Sequence, residues 1–418
     1  MPGATQPPPK RERIALVLAG GGARGAYEAG ALNALAPALS EHEQAPDILV
    51  GTSIGALNGS FLAARAKQPL EAATTAALEM WRALSWSDAL RPLASPSELA
   101  RVLGAAAMFA RLPGADPSAL LDTSPLRGTL ERLVSFERIE NNVEDGTLTA
   151  AAVVATAYAS TNSVVFHHGG PALESDPTRA IDYAATVLKP EHVLASAAIP
   201  GAFPAVEVRE PSAAAGWYGD GGVRLNAPLK PALSLGADRV VVIGLNSSAT
   251  PAGRARRPDM IDGVAQLLQV VLADQLAEDV ATLATVNETL KRTRPSATAQ
   301  PSAGGERSAA KPGQRRRRRK IPYIFIAPCD RLEIGRLARE TYKEHYAGIS
   351  GFVRDSDVAL LGRFVNAERS AVHGELLSYL FLARKFIDKL IALGERDAKR
   401  WLEQRHDAGL WQEGRMPA

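Results

Sequence analysis

The stretch Ile48-Leu49-Val50-Gly51-Thr52-Ser53-Ile54-Gly55 places a G-x-S-x-G pentapeptide between a short apolar run and a segment with helical spacing. A short apolar run bounded by a turn signal predicts a buried strand. A tight strand-to-helix turn exposes the hydroxyl of its central serine, and glycines two positions to either side remove side chains that would collide there. The stretch therefore predicts a nucleophile, Ser53, with an ordinary strand-to-helix turn as the alternative.

A second unit of the same kind precedes it in the chain. Ile14–Ala19 is an apolar run of strand length, Gly20–Gly25 is a glycine loop, and helical spacing continues to Leu39. Alternating strands and helices predict an α/β fold in which helices cover both faces of a mainly parallel central sheet. Further strands are expected at 149–157, 204–209, 239–245 and 321–327.

The glycine loop Gly20-Gly21-Gly22-Ala23-Arg24-Gly25 has two interpretations. Consecutive glycines let main-chain N–H groups point into one concavity, as the oxyanion of an acyl-transfer reaction requires. The same letters satisfy the G-x-G-x-x-G dinucleotide fingerprint, which needs an acidic residue at the end of the second strand. Asp47 stands at the beginning of that strand and Ser53 follows its end, so the oxyanion interpretation is favoured.

Asp220-Gly221-Gly222 forms a third candidate motif, after the aromatic pair Trp217-Tyr218. Asp-Gly is a common short turn signal, so a hairpin turn is the ordinary interpretation. Beside a nucleophile and an oxyanion loop, a carboxylate on a glycine turn becomes a candidate general base. An ordinary aspartate has a pKa of ~3.9. The site would therefore have to withdraw Asp220 from water to raise its proton affinity.

The positions of the histidines help to decide between a catalytic Ser–Asp dyad and a Ser–Asp–His triad. A triad in the α/β-hydrolase order would need a histidine after the aspartate. The three that follow lie in charged, helical segments typical of solvated surface residues: His345, His373 and His406. His167-His168 comes earlier, beside two glycines, and predicts a loop. The sequence thus favours a serine–aspartate dyad over a histidine-dependent esterase.

Together the three motifs resemble the patatin-like phospholipase family, in the order and at the separations of that family. Ala195–Pro204 and Asn226–Pro228 also resemble its bacterial members, and the resemblance covers most of residues 13–292 and resumes at 321. It implies a three-layer α/β/α sandwich and no metal or cofactor. The residues it implies are catalytic Ser53 and Asp220, oxyanion-hole Gly20, Gly21, Gly22, Arg24 and Gly25, and supporting-turn Gly51, Gly55, Gly221 and Gly222.

The activity implied by the resemblance is that of a serine lipid acyl hydrolase of the phospholipase A or lysophospholipase type. Ser53 would attack an ester carbonyl to form an acyl-enzyme, and Asp220 would activate the water that releases the fatty acid. Two alternatives stay open. One is an esterase or thioesterase on other acyl substrates, and the other is a non-catalytic lipid-binding module.

Composition shifts predict the domain organisation. The parts are a flexible tail at 1–12, a catalytic domain at 13–292, a disordered basic insertion at 293–320, and a last strand with C-terminal helices at 321–418 that completes the same domain. Within the catalytic domain, the helical, apolar stretch 81–135 predicts another layer of the core, with a helical cap over the site as the alternative. Residues 259–292 predict a long amphipathic helix.

The charge of the chain is concentrated in that insertion. The 418 residues have a net charge of +3, but Thr293–Lys320 holds nine Lys and Arg against one Glu. The cationic run Arg315–Lys320 predicts contact with an anionic membrane surface, with a solvated tail or RNA contact as alternatives and no specific nucleic-acid site expected.

The apolar segment Leu376–Ile391 predicts burial against the sheet, with membrane or dimer contact as the alternative, so homo-oligomerisation stays open. A single cysteine, Cys329, and no apolar run of ~18 residues predict a cytoplasmic protein, peripheral at the inner face of the membrane.

Overall fold

The computed structural model describes residues 12–93, 121–226, 228–245, 276–292, 319–405 and 408–415. The strands are β1 Ile14–Leu18, β2 Ile48–Thr52, β3 Ala150–Ala157, β4 Ser163–Gly169, β5 Ile181–Ala185, β6 Val206–Val208, β7 Gly216–Asp220, β8 Arg239–Ile243 and β9 Tyr323–Ile326. The helices are α1 Gly25–Glu41, α2 Ile54–Ala63, α3 Leu70–Ala83, α4 Trp86–Ala89, α5 Ser124–Leu133, α6 Phe136–Glu144, α7 Pro190–Ser196, α8 Gly222–Leu225, α9 Leu229–Ser234, α10 Leu276–Arg292, α11 Glu333–His345, α12 Gly348–Arg354, α13 Ser356–Phe364, α14 Ala371–Ser378 and α15 Arg384–Arg405.

The nine strands in the described residues belong to one sheet, whose main path runs β5-β4-β3-β2-β1-β8-β9. The pairings along β3-β2-β1-β8-β9 are parallel, and β4 runs antiparallel to β3. Every residue of β1 and β2 is buried, as expected for parallel strands covered by helices on both faces. The fold is therefore a three-layer α/β/α sandwich with a mainly parallel central sheet, as predicted.

Two strands share one edge of β3, and their junction creates the site. β4 occupies one edge of β3 along residues 150–156. On the other edge, β2 pairs with Ala150–Val154 and β7 pairs with Ala155–Ala157. The last residue of β7, Asp220, is opposite Ala155, one position beyond the partner of Thr52. Ser53, which follows β2, therefore lies next to Asp220, which ends β7.

The C-terminal helices pack into the same body as the N-terminal ones. α15 lies against α1, and two glycines permit the close approach: a Cβ at Gly30 would lie 2.2 Å from the Ile391 carbonyl oxygen, and one at Gly394 would lie 2.1 Å from that of Tyr27. Phe386 and Ile387 are fully buried. The prediction that Leu376–Ile391 is buried is confirmed for most of its apolar side chains, but the main neighbour of α15 is α1 rather than the sheet.

Other sequence predictions fare differently. His167 and His168, predicted to lie in a loop, are paired residues of β4. His373, predicted to be solvated, is fully buried. Strands β4, β5 and β7 were not predicted. Large parts of the predicted core layer or cap (81–135), of the predicted amphipathic helix (259–292) and of the basic insertion (293–320) lie outside the described residues. Residues 1–11 of the predicted tail and His406 also lie outside them.

Candidate active site

Ser53 lies at the turn between β2 and α2, as the pentapeptide predicts. Its backbone has φ 54° and ψ −121°, a conformation that side-chain-bearing residues rarely adopt. The flanking glycines are required sterically, because a Cβ at Gly51 would lie 2.1 Å from the Gly55 carbonyl oxygen, and one at Gly55 would lie 2.5 Å from that of Leu18. The turn presents the serine at the carboxyl edge of the sheet, where α/β folds bind ligands.

Asp220 is in direct contact with this serine. Ser53 Oγ donates a hydrogen bond of 2.6 Å to Asp220 Oδ2, and the Gly222 N–H donates one of 2.7 Å to Asp220 Oδ1. The carboxyl group is almost fully buried, at 1% exposure. Burial raises the pKa of Asp220 to about 6, although the hydrogen bonds from Ser53 and Gly222 act in the opposite direction. Gly221 completes the turn, since a Cβ there would lie 2.2 Å from the Val154 carbonyl oxygen.

The amides of the glycine loop are not equivalent. The Gly20 N–H donates to Asn226 Oδ1 at 3.0 Å, the Arg24 N–H donates to the Gly21 carbonyl, and the Gly25 N–H donates to the carbonyls of Gly22 and Ala23. Within the described part of the chain, the N–H groups of Gly21 and Gly22 donate to no protein acceptor. These two amides are consequently available to a ligand, whereas the N–H groups of Gly20, Arg24 and Gly25 are already bound to protein acceptors.

The loop also lies directly beside the serine. A Cβ placed on Gly20 would approach Ser53 Cβ to 3.0 Å and Asn226 Oδ1 to 2.5 Å. β1 and β2 are parallel neighbours, so the two glycine turns that follow them emerge at the same edge of the sheet. The nucleophile turn and the glycine loop, separate in sequence, thus form one site.

Ser196 and Asn226 support the site but were not singled out by chemical reasoning from the sequence. Ser196 Oγ accepts a 2.7 Å hydrogen bond from the Ser53 N–H and donates to the Val154 carbonyl. Asn226 binds the Gly20 amide through its side chain. Their only sequence signal is that both lie in segments that resemble the family outside its three motifs.

The side chain of Arg24 points away from the serine. Its guanidinium is 1% exposed and is bound to Glu375, far along the chain on α14. Burial acts to lower the pKa of Arg24, but the charge of Glu375, the charge of Tyr379 and the hydrogen bond to Glu375 together outweigh it and raise the pKa above its ordinary value. Only the main chain of Arg24 belongs to the glycine loop around the site.

Histidine takes no part in the described site. His192 uses both ring nitrogens elsewhere, with the Lys189 N–H and the Glu210 carbonyl, and His373 Nδ1 contacts the Val365 carbonyl. None of the histidines in the described ranges hydrogen-bonds to Ser53 or Asp220. The same ranges contain no group of three or more His, Cys, Asp or Glu side chains arranged to hold a metal ion.

The fold and site define an α/β protein in which a strained, buried serine hydrogen-bonds to an aspartate beside a glycine loop. The model of the patatin-like phospholipase family matches residues 16–233, more than half of the chain. The protein belongs to this family. Comparison with curated proteins gives no significant match.

Among solved structures, the chain matches VipD from Legionella pneumophila with 14% sequence identity and a TM-score of 0.29. The match covers 76% of this chain and 61% of the VipD chain. In the described part of the chain, no helix is both long enough and apolar enough to cross a bilayer.

Proposed function

We propose that this protein is a serine lipid acyl hydrolase of the phospholipase A or lysophospholipase type, with Ser53 and Asp220 as a catalytic dyad. The observation that carries the proposal is the 2.6 Å hydrogen bond from Ser53 Oγ to the buried carboxylate of Asp220. A serine hydroxyl is a weak nucleophile until an adjacent base accepts its proton. Burial supplies such a base by raising the proton affinity of Asp220.

The reaction follows from this arrangement. Asp220 accepts the Ser53 proton while Oγ attacks the ester carbonyl, and the negative charge that develops on the carbonyl oxygen is held by the N–H groups of Gly21 and Gly22. Collapse of the tetrahedral intermediate breaks the bond to the leaving alkoxide, which takes the proton from Asp220. Asp220 then removes a proton from water, and the hydroxide attacks the carbonyl carbon of the acyl-enzyme. When this second tetrahedral intermediate collapses, the bond from Ser53 Oγ to the acyl carbon breaks, Oγ takes the proton back from Asp220, and the fatty acid is released.

A groove whose lining includes Ala198, a main-chain neighbour of Asp220, is the site that we propose for the acyl chain. Its volume is about 340 Å³, and its apolar lining includes Leu126, Leu194 and Phe203. Ala198, which also lines it, accepts the Asp220 N–H through its carbonyl at 2.7 Å. A groove with this lining suits a hydrocarbon chain better than a polar substrate. An esterase or thioesterase that takes other acyl groups would use the same dyad.

A fluorophosphonate probe combined with lipid analysis tests the proposal. We expect the probe to label Ser53 in the wild type but not in Ser53→Ala, and we expect the wild type alone to release fatty acid from phospholipid or lysophospholipid vesicles. Ser60→Ala, which alters another buried serine in α2, should behave as the wild type. Labelling without fatty-acid release from either lipid would favour the esterase or thioesterase alternative. Absence of labelling would leave a non-catalytic lipid-binding module.

An anionic membrane surface is the partner that we propose for the basic segment, which would place the enzyme at the cytoplasmic face of a membrane. Two of its six consecutive cations, Arg319 and Lys320, pair with protein carboxylates, Asp238 and Glu413. The four others, Arg315–Arg318, lie outside the described residues. Membrane binding through this run would therefore depend on residues before Arg319.

A further inference from the structure

We infer that Glu375 is a positioning residue for the glycine loop and that it acts through the side chain of Arg24. This inference rests on the proposed function, because the loop matters to catalysis only if Gly21 and Gly22 hold an oxyanion. Glu375 lies on α14, 351 positions after Arg24 and beyond the part of the chain matched by the family model.

The contact between the two side chains is buried and multiple. Arg24 Nη2 donates to Glu375 Oε2 at 2.6 Å and to the Glu375 carbonyl at 2.8 Å. Arg24 Nε donates to Ser378 Oγ at 2.7 Å, and the guanidinium lies 4.0 Å from the centre of the Tyr379 ring. The exposed fractions of the Arg24 and Glu375 side chains are 2% and 4%. A planar guanidinium bound at several nitrogens is held in one orientation.

The main chain of the same segment contacts the loop as well. The Ala23 N–H donates to the Tyr379 carbonyl at 2.8 Å. Gly22 has φ +60°, and a Cβ there would lie 2.1 Å from the same carbonyl oxygen. The end of α14 and the residue after it thus hold the loop at the two positions that follow Gly22, by the main chain at Ala23 and by the side chain at Arg24.

Glu375 in turn is fixed by a second helix. Its Oε1 accepts a 2.6 Å hydrogen bond from the N–H of Gly335 on α11, so both carboxylate oxygens are engaged. α11 approaches α14 closely at this point, since a Cβ on Gly335 would lie 2.4 Å from the Ala371 carbonyl oxygen. Removing the charge of Glu375 would leave the Arg24 guanidinium buried without its carboxylate, and the loop would shift to relieve it.

The expected consequence is specific to the transition state. Amides that have moved away from the developing oxyanion stabilise it less, whereas the ground-state ester depends little on them. Loss of the Glu375 charge should therefore lower kcat and leave KM nearly unchanged. A merely structural role would lower the amount of folded enzyme without this split between the two constants.

The experiment compares Glu375→Gln and Ser378→Ala with the wild type on a soluble ester. Each removes one part of the contact with Arg24, and the second preserves the ion pair. We expect kcat to fall ~10- to 100-fold in Glu375→Gln and several-fold in Ser378→Ala, with KM within twofold and with slower fluorophosphonate labelling of Ser53. Tyr342→Phe is the matched control, because it removes a buried hydrogen bond from α11 to the Ala359 carbonyl on α13 without touching the loop.

Unchanged kcat in the folded Glu375 and Ser378 variants would overturn the inference, as would an equal loss in Tyr342→Phe. If Glu375→Gln does not fold, Ser378→Ala decides the question alone. A wild type with no hydrolytic activity contradicts the proposed function instead, so the two failures are distinguishable.

Discussion

The Oγ atom of Ser196 lies 2.7 Å from the main-chain nitrogen of Ser53 and accepts its N–H. Ser196 is fully buried at the end of α7, and its own carbonyl accepts the Gly221 N–H at 3.2 Å. One residue thus contacts the main chain of both turns that bear the dyad. The φ of 54° at Ser53 is an unfavourable backbone conformation, and such conformations persist only where surrounding contacts hold them.

Ser196→Ala should lower kcat, because it removes the acceptor that holds the Ser53 main chain. A displacement of the nucleophile by about 1 Å can reduce the rate ~100-fold, so we expect a loss of ~10- to 100-fold. The unpaired N–H should also lower the free energy of unfolding by about 1–3 kcal/mol. Steady-state kinetics and urea unfolding measure the two effects.

Thr341→Val is the control for Ser196→Ala. It removes a fully buried hydroxyl that donates to the Leu337 carbonyl at 2.7 Å, remote from the dyad. We expect this variant to lose stability and keep its kcat. A Ser196→Ala enzyme with wild-type kcat would mean that the turn at Ser53 holds its shape without this contact.

The pH dependence of hydrolysis should report the ionisation of Asp220. The carboxylate must be unprotonated to accept the Ser53 proton, and burial raises its pKa to about 6. We expect kcat/KM to rise with pH through an apparent pKa near 6 and to level off above it, measured on an ester that does not ionise in this range.

Two buried histidines could give a similar profile and are the controls. Burial lowers the pKa of His167 and of His192 from the ordinary histidine value. His167→Gln and His192→Gln should each retain the rise near pH 6. Loss of the rise in either variant would assign it to that imidazole instead of Asp220.

The sequence predicts the nucleophile turn and the parallel sheet because both depend on local signals. Ile48–Thr52 is apolar throughout, and the glycines around Ser53 are close in the chain. Local signals do not predict β7, because Asp220-Gly221 is a sequence typical of a hairpin turn. Asp220 ends a strand because β7 pairs with β3 where β2 leaves it, and that pairing joins residues more than 60 positions apart.

His373 illustrates the same difficulty. The charged neighbour Glu375 suggests a solvated helix, but Glu375 is itself buried because Arg24 neutralises it. A buried ion pair cannot be recognised in sequence while its two partners lie hundreds of positions apart. The support of the candidate site by α14 was therefore beyond prediction, whereas its three motifs were not.

Leu194→Trp should shorten the acyl chains that the enzyme accepts, because the larger ring would fill part of the groove beside Ala198. We expect kcat/KM for a dodecanoyl ester to fall at least tenfold and that for a butanoyl ester to change less than twofold. Leu402→Trp, on α15 and outside the groove lining, is the control. If the ratio of kcat/KM for the two esters does not change, the acyl chain binds outside this groove.

Deleting 293–318 should weaken binding to vesicles that contain anionic lipid. The deletion keeps Arg319 and Lys320, whose pairs with Asp238 and Glu413 belong to the folded body. Each lost cation would contribute ~1 kcal/mol near an anionic surface. Cosedimentation with phosphatidylserine vesicles should fall, whereas cosedimentation with neutral vesicles and the hydrolysis of a soluble ester should not change.

The same deletion distinguishes membrane binding by this segment from RNA binding. If the segment binds RNA, the full-length protein should show salt-sensitive RNA binding that the deletion abolishes. Vesicle binding that survives the deletion would contradict the membrane proposal.

Asp220→Asn should abolish hydrolysis and stabilise the protein at high pH. The folded pKa of about 6 lies above the ordinary value of 3.8, so folding favours the protonated form. The stabilisation from this group is complete below pH 3.8 and is lost as the pH rises through 6. A difference of about two pKa units corresponds to roughly 3 kcal/mol. Asparagine stays neutral; its oxygen can accept from the Gly222 N–H while its NH2 group donates to Ser53 Oγ, so the variant should retain this stabilisation at pH 8.

Urea unfolding of the wild type and Asp220→Asn at pH 8 and pH 5 measures the effect. We expect the variant to be the more stable at pH 8 and its advantage to shrink at pH 5. Asp145→Asn should show the opposite sign, because hydrogen bonds from Lys67 and Thr147 lower the pKa of exposed Asp145 to about 2. Its carboxylate stabilises the fold above pH 3.8 and loses this effect as the pH falls through 2. Equal stability of Asp220→Asn and the wild type at pH 8 would mean that the buried carboxylate is not strained by desolvation, and the basis for its action as a general base would be lost.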